Sequence, residues 1–436
     1  MTRRSRSYVP RGSRLRWRSF LLFFLVCCAV VFGIQHVLEN RQQRQVNTYG
    51  VCGLSNLQTR ELLGQAQQEQ TELLTLSDYL FYGETLNLYH EMYNKNTSDR
   101  FAGKMVILRN LCSGLDFVYM MEKQADGQIP LEDLDPGFYQ VYIMEDLKEK
   151  KVVSQQKLND VFYTVTRNGT NHKIELIADQ NRFDDETDTT PFLDQNYLFL
   201  QVSEEAQPQN YVDIMIDPGG MNQDNGYTDR GVHGNGLEAY LENYRLAEKL
   251  KEELEKLGLK VELTRQQDEV VNSYGEDGRL DRAYSAHARY YLDLEMKSAI
   301  NTQLRGTDIV YSSFSSSRMA STVLKSLVEN TSLIYAQDST GSASGTSVGV
   351  DGTLYDGQKM IRESGGRILG AATFSEASME NTAFAAENRW GMQTLIIQTI
   401  FVSNPQDAAV WQSELDEIAS AIAQGIAQAL RLSSTQ

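Results

Sequence analysis

Histidine is scarce in this chain, with five in 436 residues, and cysteine scarcer, with four. No Cys-x-x-Cys spacing occurs, which argues against the common structural zinc modules. Cys27 and Cys28 lie in an apolar run. That leaves Cys52 and Cys112 either to pair in an oxidising exterior or to stand as separate thiols. None of the five histidines (His36, His90, His172, His233, His287) stands at a nucleophile spacing from Ser312, Ser313, Ser315, Ser316 or Ser317. A serine hydrolase is therefore disfavoured. Basic residues are also few, 41 against 58 acidic, for a net charge of −17. Seven of those 41 fall in the first 18 residues, so the remainder stands near −24. Such a balance argues against nucleic acid and anionic membrane surfaces as partners.

Only one long apolar run is present, residues 20–34. Seven arginines and no acid precede it, and Trp17, Val37 and Leu38 extend it toward the ~20 residues a membrane-spanning helix needs. The charge asymmetry orients the amino terminus inward. The expectation is a basic cytoplasmic segment over 1–18, a single-pass anchor over 19–38 and an extracytoplasmic bulk. A cleaved signal peptide is the alternative, since Val31-Phe32-Gly33 offers small residues of the kind such sites use. Val26 before Cys27 makes a poor lipobox.

Residues 39–83 read as a polar linker followed by a stalk helix over 57–80, from leucines at 57, 62, 63, 73, 74, 76 and 80. Over 84–203, β-branched and aromatic runs at 105–108, 117–120, 138–143, 161–165, 174–177 and 197–200 are separated by Asp126-Gly127, Asp135-Pro136-Gly137 and Asn168-Gly169. This spacing predicts a β-sandwich. Gly127-Gln128-Ile129-Pro130-Leu131 and Leu134-Asp135-Pro136-Gly137-Phe138-Tyr139 resemble a short stretch of Gram-positive surface immunoglobulin-like modules. The acidic residues Asp184, Asp185, Glu186 and Asp188 lack EF-hand spacing and read as a solvated loop.

From 211 to 432, strands alternate with helices, an α/β layered pattern. Strands are predicted at 212–216, 259–263, 309–311 and 394–402, and helices at 238–257, 279–291, 317–328 and 408–430. Residues 341–352 read as a flexible Ser/Gly loop.

Within this region, Asp217-Pro218-Gly219-Gly220-Met221-Asn222-Gln223-Asp224-Asn225-Gly226 follows an apolar strand. Leu263-Thr264-Arg265 with Asp268 follows the next strand. Arg282 and Ala286, then Ser403-Asn404-Pro405-Gln406-Asp407, come later in order. Together these resemble the zinc-dependent N-acetylmuramoyl-L-alanine amidases. The resemblance implies a zinc held by two histidines and a glutamate, with a second glutamate as base. Zinc of that kind lowers the pKa of a bound water to about 7. In this chain the first histidine position is Gly220. In the Ser-x-His-x-Asn frame set on Lys297-Ser298-Ala299-Ile300-Asn301, the second is Ala299. The base falls on Gln398, and the glutamate ligand falls on Ala239, with Glu238 one residue out of register.

The resulting expectation is an amidase fold without its chemistry, that is, a pseudoenzyme with no cofactor. It would serve as a cell-wall protein that binds peptidoglycan through Asn222, Asp224, Arg265 and Asn301, or that docks on a hydrolase or envelope complex. Two alternatives stay open at this point: an active amidase with zinc rebuilt from His233, Glu238 and His287, and a surface spacer or adhesin.

Overall fold

The computed structural model describes residues 51–54, 56–68, 71–92, 97–121, 129–165, 171–182, 191–206, 211–224, 226–312, 314–337, 346–350, 360–361 and 392–432. The chain divides into two compact units, 1–61 and 62–436. The run at 20–34, the loop at 184–188 and the turns Asp126-Gly127 and Asn168-Gly169 lie outside the described residues. Among the described residues, no helix is long and apolar enough to cross a membrane. Cys52 and Cys112 are both disulfide-bonded, so neither stands as a separate thiol.

The helix α1, Asn56–Gln68, is shorter than the expected stalk. Strands β1 (Leu73–Leu76), β2 (Asp78–Tyr82) and β3 (Thr85–Tyr89) replace its second half. The physical reason lies in β2, whose side chains divide with period two between separate cores. Tyr79 and Phe81 pack with Leu86, Leu108 and Val141, whereas Leu80 and Tyr82 pack with Tyr291, Val310 and Ile396. A helix cannot present alternate residues to opposite sides.

β4 (Lys104–Asn110), β5 (Asp116–Met121), β6 (Ile129–Pro130), β7 (Gly137–Glu145), β8 (Lys148–Ser154), β9 (Leu158–Val165), β10 (Asn171–Ala178) and β11 (Phe199–Glu205) follow. Their pairing differs from an immunoglobulin-like sandwich. β1, β4, β5 and β7–β11 join one eight-stranded sheet, and β2, β3 and β6 form a second of three strands. β8 was hidden by its sequence, Lys148-Glu149-Lys150-Lys151. In the fold Lys150 Nζ reaches Glu145 Oε2 at 2.9 Å and Glu72 Oε2 at 2.8 Å.

The remaining half forms a six-stranded sheet. Its strands are β12 (Val212–Pro218), β17 (Val261–Leu263), β18 (Ala288–Lys297), β19 (Asp308–Ser312), β20 (Thr346–Val350) and β21 (Gln393–Phe401), ordered β17-β12-β18-β21-β19-β20. Short ribbons β13 (Asn222–Asp224) with β14 (Tyr227–Asp229), and β15 (His233–Gly234) with β16 (Leu237–Glu238), lie beyond β12. One face is covered by α2 (Ala239–Lys256), α4 (Arg318–Asn330) and α5 (Pro405–Ala429), through Leu246, Leu250, Val323, Trp411 and Ile422. α3 (Arg279–Ser285) and the β2–β3 hairpin cover part of the other.

Two elements differ from those the sequence predicts. The predicted helix 279–291 stops at Ser285, because His287 takes φ +49° and the alternating residues after it form β18. Part of the Ser/Gly loop is β20, paired parallel with β19; residues 341–345 and 351–352 lie outside the described residues.

The hairpin is fixed to the sheet by a buried ionic knot. Arg289 Nε donates to Glu84 Oε1 at 2.6 Å, and its Nη2 donates to Glu132 Oε2 at 3.0 Å. Tyr290 donates to Glu84 Oε2 at 3.0 Å, and Arg318 Nη2 to Glu132 Oε1 at 2.9 Å. Glu84 and Arg289 are 2% and 7% exposed. Burial, and then the Glu132 charge, raise the Glu84 carboxyl well above the ordinary range, while Arg289 opposes them. Gly83, at φ +58°, is tightly enclosed, since a methyl group there would lie 3.1 Å from Gln393 Cβ. Removing one member of such a pair strands the other charge, at a cost of about 3–5 kcal/mol. Arg289→Ala should lower unfolding stability by that amount in urea titration. A loss below about 1 kcal/mol would show that the knot does not hold the hairpin.

Candidate functional site

The Asp217–Met221 turn leaves the carboxyl end of β12 and is held from beneath. Asp217 is fully buried; its Oδ1 accepts from Thr264 Oγ1 at 2.7 Å and Arg279 Nη1 at 3.0 Å, and its Oδ2 from Tyr291 OH at 2.5 Å. Three consecutive carbonyls of the turn accept from guanidinium groups. Pro218 O accepts from Arg265 Nε at 2.9 Å, Gly219 O from Arg265 Nη2 at 3.2 Å, and Gly220 O from Arg279 Nη2.

Arg265 gives its other N–H groups to Gln266 O, Gln267 O and Tyr240 O, at 3.0, 2.8 and 3.1 Å. All five of its donors are thus spent on backbone, and the residue is 1% exposed. Burial, reinforced by the Arg279 charge, lowers its pKa to about 10. This corrects the expectation that Arg265 contacts a ligand. It is a brace for the turn.

The brace fixes Gly220 at φ +90°, a conformation glycine adopts freely and other residues rarely. A methyl group at Gly220 would lie 2.9 Å from Tyr240 Cβ and 3.3 Å from Arg230 O. Both the conformation and the crowding bar a histidine side chain there without rearrangement.

Ala299 lies past the end of β18, its N–H donating to Ser403 Oγ at 3.0 Å. The residue paired with Gln398 across β18 and β21 is Glu295, whose Oε2 accepts from Gln398 Nε2 at 3.0 Å. Glu238 is exposed at the start of α2 without a capping bond, and Ala239 is buried in the helix-side core.

The His233/Glu238/His287 set is not assembled. His233 and Glu238 pair with each other across β15 and β16, beside Val402. There Asn235 Nδ2 donates to Val402 O at 2.7 Å. His287 precedes Ala288, which pairs with Val212 at the opposite end of the sheet. From Ala288 to Leu294, which pairs with Pro218, is roughly 20 Å at strand rise. Among the described residues, no group of three or more His, Cys, Asp or Glu is arranged to hold a metal ion.

Of the remaining expected contacts, Asn222 is engaged by Ser273, whose N–H and hydroxyl donate to Asn222 Oδ1 at 2.9 and 3.0 Å. Asp224 pairs through its backbone with Tyr227. Asn301 is exposed on the turn after β18, with Oδ1 accepting from Gln303 N at 3.1 Å.

The residues that sequence reasoning missed are Tyr240, Asn243, Asp293 and Glu295. Asp293 and Glu295 share one face of β18. Burial raises both carboxyls above their ordinary values, with further upward pushes from each other's neighbourhood: Glu295 and Asp217 on Asp293, Asp217 and Asp308 on Glu295. Their signal was the alternation Tyr291, Asp293, Glu295, Lys297, which a helical reading through 291 obscures.

Residues 214–428 match the family model described as N-acetylmuramoyl-L-alanine amidase. The chain carries an amidase-family domain. Similar solved structures include the catalytic domain of CwlV, an N-acetylmuramoyl-L-alanine amidase from Bacillus (Paenibacillus) polymyxa var. colistinus. It is 19% identical, with TM-score 0.36, covering 51% of this chain and 99% of that one. The amidase AmiC2 of Nostoc punctiforme is 19% identical, with TM-score 0.34, covering 50% and 97%. The CwlD amidase of Clostridioides difficile, solved in complex with the GerS lipoprotein, is 16% identical, with TM-score 0.35, covering 50% and 98%. No curated protein matches the chain.

The zinc that the family implies does not fit the residues of this amidase-family domain. Gly220 has neither a donor nor room for one, Ala299 has no donor, and Gln398 is an amide that takes up no proton at neutral pH. Arg265→Ala, which would leave five carbonyls without their partner, should destabilise the chain by at least about 3 kcal/mol. Thermal unfolding checks this. An unchanged midpoint would return Arg265 to the candidate ligand contacts.

Proposed function

We propose that this chain is a membrane-anchored, extracytoplasmic protein of the bacterial envelope whose amidase-family domain holds peptidoglycan without cutting it. The observation that carries the reading is the crowding at Gly220, φ +90° with Tyr240 Cβ in the path of any side chain. A lost ligand at an open position is restored by one substitution, whereas this position has been closed by the backbone and by a neighbour. The pairing of Gln398 with Glu295 supports the same reading, since the resemblance gives position 398 to the family's base and an amide takes up no proton at neutral pH.

The anchor is proposed from sequence, from seven arginines ahead of the apolar run 20–34. Wall contacts are proposed at the carboxyl ends of β12 and β18, where Asn222, Asp224 and Asn301 lie. A wall-held domain tethered to the membrane would place a partner of the envelope at a fixed distance from the bilayer. That partner is a protein of the same compartment, a hydrolase or an assembly factor.

Co-sedimentation with purified sacculi, followed by chromatography of the supernatant, tests the proposal. The chain should pellet with the sacculi and release no more stem peptide than buffer alone. Release of stem peptides that a chelator abolishes would make it an active amidase. Failure to pellet would leave the domain as a spacer.

A further inference from the structure

We propose that Met105, Met120 and Met144 form a binding site for a soft monovalent metal ion, Cu(I), on the outward face of the eight-stranded sheet. The site lies outside residues 214–428 and does not depend on the wall-binding reading. β4 pairs with β5 on one side and with β7 on the other, and the register sets Met105 opposite both Met120 and Met144. Three thioethers thus stand in one row across three adjacent strands. Side chains directly opposed on neighbouring strands have Cβ atoms about 4.5–5.5 Å apart. Methionine adds three rotatable bonds, so the two outer sulfurs can bend over the middle strand to meet the third.

Strand alternation fixes the side on which the row lies. Val106, Leu108, Val141 and Ile143 belong to the β core, and Phe117 and Tyr119 pack against it. The methionines between them therefore face away from that core. Met105 and Met120 are 39% and 42% exposed, and Met144 is half-buried. The outward face of an antiparallel sheet is ordinarily polar. Among the described residues four methionines are not buried, and three of them make up this row; the fourth is Met92.

The surroundings leave the sulfurs reachable and the nearby charges already matched. Glu149 stands opposite Met144 and so ends the row, but its Oε1 accepts from Arg109 Nη2 at 3.1 Å. Arg109 also donates to both oxygens of Asp116 at 2.8 and 2.9 Å, and its guanidinium lies 4.8 Å from the centre of the Tyr142 ring. No carboxylate beside the row is thus left to recruit a hard cation. Toward the other flank, Gly103 brings no side chain, and a methyl group there would meet nothing within 4 Å. Thioether sulfur is a soft, neutral donor that favours Cu(I) over zinc, calcium or magnesium. A monovalent ion on three neutral ligands adds one positive charge to a chain of net charge −17, the sign its field attracts. A purely apolar docking face would be served equally by leucine, whereas a metal needs the sulfur at each of the three positions.

Equilibrium dialysis of the full chain in detergent against micromolar Cu(I), kept reduced by ascorbate under argon and followed by metal analysis, tests the inference. Cys27 and Cys28 are replaced by alanine in every chain compared, so that no thiol of the apolar run contributes. The parent should retain one Cu(I) per chain, with sulfur ligands in X-ray absorption. The Met105→Leu, Met120→Leu and Met144→Leu triple variant should bind at least about tenfold more weakly with its thermal midpoint kept, since leucine conserves volume and hydrophobicity. Met92→Leu should bind as the parent does. If the triple variant unfolds, the three single leucine variants decide, each weakening binding if the row is the ligand set. No Cu(I) on the parent, equal retention by the leucine variants, or nitrogen and oxygen ligands in place of sulfur would overturn the inference.

Discussion

Two buried guanidinium groups hold the turn on which the whole carboxyl-terminal half depends. Arg265 and Arg279 together take the carbonyls of Pro218, Gly219 and Gly220, and Arg279 also takes the Asp217 carboxylate. Cations bonded to carbonyl oxygens form strong hydrogen bonds, and in a dry interior these bonds permit little motion. The turn is therefore rigid, and its rigidity has a consequence for chemistry. It sets Gly220 at a positive φ facing Tyr240, so a side chain at 220 would be crowded whatever its chemistry. The brace works through backbone carbonyls and does not depend on the side chain at 220.

The second constraint is β2, which belongs to two cores. Its odd-numbered Tyr79 and Phe81 complete the amino-terminal β core, and its even-numbered Leu80 and Tyr82 complete the far face of the amidase-family sheet. With the Glu84, Arg289, Glu132 and Tyr290 knot beside it, the β region from 73 to 205 and the six-stranded sheet share buried surface. A buried charge cluster is weak evidence for net stability, yet it specifies one docking geometry, because any shift strands a charge.

Much of the carboxyl-terminal fold was legible because its helices and strands carry clear periods. Leucines at helical spacing gave α2, and the apolar run at 212–216 gave β12. The amidase-family pieces kept their order along the chain. The errors have physical causes. Leucines at 73, 74, 76 and 80 suggested a helix, where the aromatic alternation of Tyr79, Leu80, Phe81 and Tyr82 serves two cores. Four consecutive charges concealed β8, which tertiary ion pairs and packing on Tyr197 accommodate. At the site, Gly220, Ala299 and Gln398 were visible as letters. What the letters could not carry was the register that sets Glu295 beside Gln398, the inward turn of Arg265, or the distance of His287 from His233. Each depends on strand ends and on side-chain direction.

Under the proposed reading, the position that the resemblance gives to zinc does not hold it. Equilibrium dialysis of the purified chain against micromolar zinc, followed by metal analysis, tests that claim most directly. Well under one tenth of a zinc per chain should remain after dialysis into metal-free buffer, the same as for a variant lacking His233 and His287. One tightly held zinc per chain, lost when those histidines are replaced, would contradict the account.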